Sequence, residues 1–92
     1  MKNYFQDKTI FLTGGTGSFG KVFTTTILKY YKPKKLIIFS RDELKQYEFK
    51  KKIGHHKNVR FFIGDIRELD RLILATKDVD IIVHAAALKQ VD

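Results

Sequence analysis

The chain alternates short, wholly apolar runs with longer segments whose apolar residues recur every three or four positions. The runs are "KTIFLT" (8–13), "KKLIIFS" (34–40), "VRFFIGD" (59–65) and "VDIIVHAAA" (79–87). Each is brief, rich in β-branched or aromatic residues and bounded by glycine, proline or charge, which predicts strands buried on both faces. From Ser18, "SFGKVFTTTILKYY" sets Phe19, Val22, Phe23, Ile27 and Tyr30 or Tyr31 at helical spacing, and "KPK" stops the pattern. "SRDELKQYEFKKKIG" reads as a second helix, opened by a capping box from Ser40 to Glu43 and closed by Gly54. "RELDRLILAT" (67–76) supplies a short third helix.

The order βαβαβαβ without a hairpin turn predicts right-handed crossovers and a parallel sheet covered on both faces. The fold class is α/β: a Rossmann-like parallel sheet forming half of a doubly wound domain. No repeat, low-complexity tract or linker interrupts residues 1–92, so the whole stretch reads as the N-terminal part of one such domain. Further strands and helices are expected beyond it.

Composition narrows the setting. Ninety-two residues suffice for one compact core, and 43% hydrophobic content with a single proline suits an ordered domain. Cysteine is absent, which excludes disulfides, thiolate catalysis and cysteine-ligated zinc and suits a reducing, cytoplasmic setting. The longest apolar stretch, "VDIIVHAAAL", is about half a membrane span, so no membrane association is expected. The net charge of +8 is uneven: eleven basic and three acidic residues fall between Lys29 and Arg60. Such a block attracts phosphate groups, yet without interleaved aromatics or a docking motif it reads as a solvated face and not a nucleic-acid surface. His55 and His56 adjoin without spaced partners and His84 ends a strand, so no metal site is expected.

The chemistry concentrates in "TGGTGSFGK" (13–21), which holds four of the six glycines. Gly15, Gly17 and Gly20 fit G-x-G-x-x-G, and Gly14, Gly17 and Gly20 fit G-x-x-G-x-x-G; either way the motif joins a predicted strand to a predicted helix. Early glycines permit a tight turn and close approach of a pyrophosphate, the last lets the helix pack on the sheet, and the helix start offers amides and positive dipole. A P-loop is excluded, because Lys21 is not followed by Ser or Thr. About 20 residues further on, such folds choose their coenzyme: an acid suits the free ribose of NAD, an arginine the 2′-phosphate of NADP. Ser40, Arg41 and Lys45 favour NADP, with Asp42 as a displaced acidic partner for NAD and Ser40 as a possible helix cap. Asp65 suits an adenine amino group or a cap on the third helix. "HAAA" suits a backbone lying against ribose and nicotinamide, or equally tight helix packing.

Together "TGGTGSFGK", "IIFSRDELKQYE", "RFFIGDIRELDRL" and "VDIIVHAAALKQV" resemble the extended short-chain dehydrogenase/reductase superfamily. More narrowly they are similar to the inverting UDP-N-acetylglucosamine 4,6-dehydratases of bacterial sugar-nucleotide and surface-polysaccharide biosynthesis, with "SRDELKQ" and "AAALKQV" the specific parts. The resemblance implies a tightly held NADP that is regenerated in each turnover. It implies a lyase that oxidises sugar C4, eliminates water across C5 and C6, returns hydride to C6 and inverts C5. It places Thr16, Gly17, Ser18 and Phe19 at the pyrophosphate, with Gly14 and Gly20 counted with them in the coenzyme-binding motif, and Ser40, Arg41, Asp42, Glu43, Leu44 and Lys45 at the 2′-phosphate end. It places Asp65 and Ile66 at the adenine, Ala85 beside the coenzyme, and Lys89 against both coenzyme and UDP-N-acetylglucosamine.

The family's aspartate–lysine pair and Tyr-x-x-x-Lys follow a fifth strand, so residues 1–92 are assigned no catalytic residue and are expected to be inactive alone. Tyr30 with Lys34 and Tyr47 with Lys51 match the spacing, but the first pair straddles Pro33 and the second lies on the second helix. Another extended dehydrogenase/reductase, such as a nucleotide-sugar epimerase, a non-catalytic NADP-binding module and a basic nucleic-acid binder are the competing readings. A homo-oligomer is expected, with the outer edge of the last strand prone to pair with another copy.

Overall fold

The structure is a computed structural model that describes residues 4–14 and 16–85. Strands β1 (Thr9–Thr13), β2 (Lys35–Ser40), β3 (Val59–Ile63) and β4 (Ile81–His84) alternate with helices α1 (Ser18–Tyr30), α2 (Glu43–Ile53) and α3 (Leu69–Ala75). All strand pairs are parallel and the sheet order is β3-β2-β1-β4. The chain thus starts at the centre, walks outward through β2 and β3, and returns to the other side of β1. That reversal is the topological switch point of a doubly wound sheet, and it lies between β1 and β4.

The period-2 geometry of the strands divides their apolar residues between two faces. Ile10, Leu12, Leu36 and Ile38 join Ile27 of α1 and Phe49 of α2 in one core. Phe11, Ile37 and Phe39 join Ala75 of α3 in the other. Burial of each such Leu, Ile or Phe contributes about 1.5–3 kcal/mol, so the two central strands carry most of the stability.

Several expectations need correction. The outer strands are only half-covered, and Ile82 is 63% exposed, because a single seven-residue helix lies on the α3 face among the described residues. The buried stripe of α1 is Gly20, Thr24 and Ile27, while Phe19, Val22 and Tyr30 are exposed. Small residues at 20 and 24 let the helix lie close to the sheet, and that rotates the larger apolar residues outward. Ser40 does not cap α2. It remains in β2, in register with Ile63, so the chain turns only afterwards and Asp42 becomes the cap, accepting from the Lys45 amide at 3.0 Å. Asp65 does not cap α3 either, which begins after Glu68. The last strand ends at His84, and Ala86 and Ala87 of the expected strand lie outside the described residues.

Both ends of β4 are tied to β1. At the start, the Asp80 amide donates to the Thr9 carbonyl at 2.9 Å and the Thr9 amide donates to the Asp80 carboxylate at 2.8 Å. At the far end, the Thr13 hydroxyl is hydrogen-bonded to His84 Nδ1. No helix among the described residues is long and apolar enough to cross a membrane.

Candidate functional site

The glycine loop leaves β1 and enters α1. Gly14 sits in the left-handed region at φ 69°, where a side chain would be strained, and its amide donates to the Phe39 carbonyl at 3.2 Å. Its own carbonyl accepts from the Gly17 amide at 3.1 Å, which closes the turn. Gly17 is the N-cap of α1, yet no side chain caps the helix and its first turn holds no acid. The first-turn amides lack intrahelical acceptors, so a positive end without a local counter-charge points out of the loop.

Gly17 itself has an ordinary φ of −79°, and a Cβ there would meet nothing nearer than the Gly14 carbonyl oxygen at 3.4 Å. Internal packing therefore does not demand a glycine at this position. What the missing side chain provides is open space on the outer side of the loop.

A cleft of about 480 Å³ lies at the carboxyl ends of the strands. Gly14 and Thr16 form one wall, Ser40, Arg41, Asp42 and Lys45 a second, and Asp65 and Ile66 a third. These eight expected residues, separate in sequence, share one cavity because β1, β2 and β3 are parallel and all end on the same side. Within it Asp42 is committed to capping α2, and the Ser40 hydroxyl accepts from Gln46 Nε2 at 2.8 Å. Arg41 and Lys45 remain as cations on the second wall.

Asp65 is the most strongly held charge in the cleft. Its Oδ1 accepts from the Arg67 amide at 2.9 Å and from Arg67 Nε at 3.1 Å, and its Oδ2 accepts from Arg67 Nη2 at 2.6 Å. Arg41 Nη1 approaches the same Oδ2 at 3.5 Å. Hydrogen bonds from the Arg67 side chain and then its amide hold the Asp65 carboxyl well below the usual carboxylate range, with the charges of Arg67 and Arg41 adding to the effect. The loop is fixed from the other side too, since the Asp65 amide donates to Glu68 Oε1 at 2.9 Å and the Glu68 amide to the Asp65 carbonyl at 2.8 Å.

The remaining expected residues fall elsewhere. Gly17, Ser18, Phe19 and Gly20 run from the loop into α1 without lining the cleft, and the Phe19 ring stacks on Phe23 at 6.0 Å. Glu43 and Leu44 occupy the first turn of α2 but do not line it. Ala85 is buried in the core on the α1 side and does not line the cleft. Gly15 and Lys89 lie outside the described residues. Tyr30 and Tyr47 are exposed, and neither lines the cleft.

Sequence reasoning missed Thr13, Phe39, Gly64 and Arg67, and read His84 only as a strand end; all five line the cavity. The available signals were positional. Thr13 and His84 end the strands that flank the switch point, and Arg67 follows Asp65 by two, the spacing at which an aspartate bonds a backbone amide. A second groove, of about 450 Å³ between α1 and α2, holds none of the expected coenzyme residues.

A family model described as polysaccharide biosynthesis protein matches residues 10–92. An inverting UDP-N-acetylglucosamine 4,6-dehydratase of Campylobacter jejuni is 54% identical over 87 residues, which cover 95% of this chain and 26% of the relative. A UDP-glucose 4-epimerase of Rickettsia bellii is 47% identical over 90 residues, with the same coverage of 95% and 26%. The X-ray structure of Pen from Bacillus thuringiensis is similar at a TM-score of 0.87 and 38% identity, over 98% of this chain and 28% of that one. The chain therefore spans about a quarter of the length of the curated relatives it matches.

Proposed function

This chain belongs to the polysaccharide biosynthesis protein family, and from that membership we propose that it forms the NADP-binding part of a UDP-N-acetylglucosamine 4,6-dehydratase. The observation that carries the reading is the shared cleft, in which a glycine loop open on its outer side faces Arg41 and Lys45. The donor set fits the coenzyme. Main-chain amides from Thr16 to Phe19, backed by the α1 dipole, hold the pyrophosphate, and a side chain at Gly17 would fill the space it needs. Arg41 and Lys45 take the 2′-phosphate. Asp42 spends one carboxylate oxygen on its helix cap, which weakens its claim as an acidic partner for NAD. Asp65 accepts from the adenine amino group, with Ile66 against the ring.

The 54% identity to an inverting dehydratase supports the substrate and the reaction. Bound in the cleft, the coenzyme supplies hydride acceptance from sugar C4 and return to C6. The residues of this chain bind and orient. Their Tyr–Lys pairs lie off the cleft, so residues 1–92 hold coenzyme without turnover, and the sugar-nucleotide substrate and cysteine-free composition fit the cytoplasm.

A second reading, a nucleotide-sugar 4-epimerase, is favoured by the 47% identity to a UDP-glucose 4-epimerase over the same segment. Proton NMR of UDP-N-acetylglucosamine incubated with the intact protein separates the two. A 4-keto-6-deoxy product inverted at C5 supports the dehydratase, whereas a C4 epimer alone overturns it. Calorimetric titration of the coenzyme-free protein that detects no NADP binding overturns the NADP-binding reading.

A further inference from the structure

Two guanidinium groups compete for the Asp65 carboxylate, and the structure ranks them. Arg67 engages both oxygens with its amide, Nε and Nη2 at 2.6–3.1 Å, whereas Arg41 approaches only Oδ2, at 3.5 Å, beyond an ordinary hydrogen bond. Burial fixes neither arginine, since their side chains are 78% and 73% exposed. Geometry decides. Arg67 is two residues from Asp65 and its own amide anchors the ring it closes, while Arg41 must reach across from the end of β2. A carboxylate has about four acceptor positions, and Arg67 takes most of them.

We propose that Arg67 is a positioning residue for coenzyme selectivity: by occupying most of the Asp65 acceptor positions it keeps Arg41 from being captured there and leaves that guanidinium for the 2′-phosphate. The inference rests on the NADP reading above. Without Arg67, Asp65 keeps its charge and gains free oxygens, and Arg41 is the cation already within 3.5 Å. Arg41 then closes onto Asp65 and turns away from the phosphate.

The test is calorimetric titration of NADP and NAD into the intact protein as wild type, Arg67→Ala, Asp65→Asn and the double variant. Arg67→Ala lowers the NADP-over-NAD preference about two- to fivefold, the strength of an exposed ion pair that must now be broken. In the Asp65→Asn background the same substitution changes the preference by nothing measurable, because no trap remains. An unchanged preference in Arg67→Ala overturns the inference. So does an equal fall in both backgrounds, which would mean that Arg67 touches the phosphate directly. A wild type with no preference for NADP overturns the underlying reading, whereas an intact wild-type preference with an insensitive Arg67 overturns only this step. If melting shows Arg67→Ala to be unfolded, Arg67→Gln, which removes the charge at similar size, carries the same comparison.

Discussion

Replacing Gly64 by alanine puts a methyl group where the structure has no room. A Cβ there would lie 2.8 Å from Phe39 Cζ, 3.0 Å from Phe39 Cε2 and 3.0 Å from Arg71 Nε. Carbon atoms in contact sit about 3.5–4.0 Å apart, so the ring must give by roughly 0.7 Å or more. The arginine, on a flexible arm, moves easily. The ring does not, because Phe39 is 1% exposed and wedged between Phe11 at 5.3 Å and Phe62 at 5.7 Å. Overpacking a fixed core of this kind costs about 1–3 kcal/mol. The Gly64 amide also donates to the Ser40 carbonyl at 2.9 Å, so the displacement passes to the Asp65 loop, and coenzyme affinity falls with stability. Urea unfolding of the intact protein measures the first effect, and titration with NADP the second. An unchanged urea midpoint would show that Phe39 has somewhere to go and that the ring does not dictate the glycine.

Gly17→Val should behave oppositely, with an unfolding midpoint close to wild type but no coenzyme binding by calorimetry; a folded variant that binds normally would refute the open-loop argument. Arg41→Ala should weaken NADP about ten- to a hundredfold and leave NAD nearly unchanged, and equal losses would show that Arg41 does not read the 2′-phosphate. Because the folded-state pKa of Asp65 is depressed, its contribution to stability is present above its unfolded value of about 3.9 and is lost only as pH falls through the lower folded value. The stability difference between wild type and Asp65→Asn should therefore hold from pH 7 to about pH 4 and shrink only in stronger acid, as followed by denaturation at each pH. Residues 1–92 expressed alone should self-associate along β4, whose outer edge has no strand partner among the described residues, and Ile82→Lys should reduce the association seen by light scattering.

The succession of strands and helices along the chain was legible because "TIFLT" and "KLIIFS" are buried through their length and carry their own signal. The glycine loop was legible for a related reason, since Gly14 needs a backbone few residues adopt. Less was visible where two residue types compete for one role. Ser40 and Asp42 are both good caps, and only the register of β2 against β3 decides between them. The inward face of α1 was misread because close packing selected Gly20 and Thr24 over the larger apolar residues beside them. Arg67 was invisible as a member of the site, because its grip on Asp65 depends on how the loop after β3 folds back.

The pairing of β4 with β1 also sets an order of assembly. Thr9 meets Lys35 and Leu36 meets Val59, each a closure of about 25 residues, whereas Ile10 meets Ile81 across about 70. Closing the longer loop costs about 1 kcal/mol more, and it has to wait until nearly the whole segment has left the ribosome. β1, β2 and β3 can already be a sheet by then. The switch-point crevice between β1 and β4 thus comes into being after β1, β2 and β3 can pair, so a nascent chain gains that side of its site later than the side formed by β2 and β3.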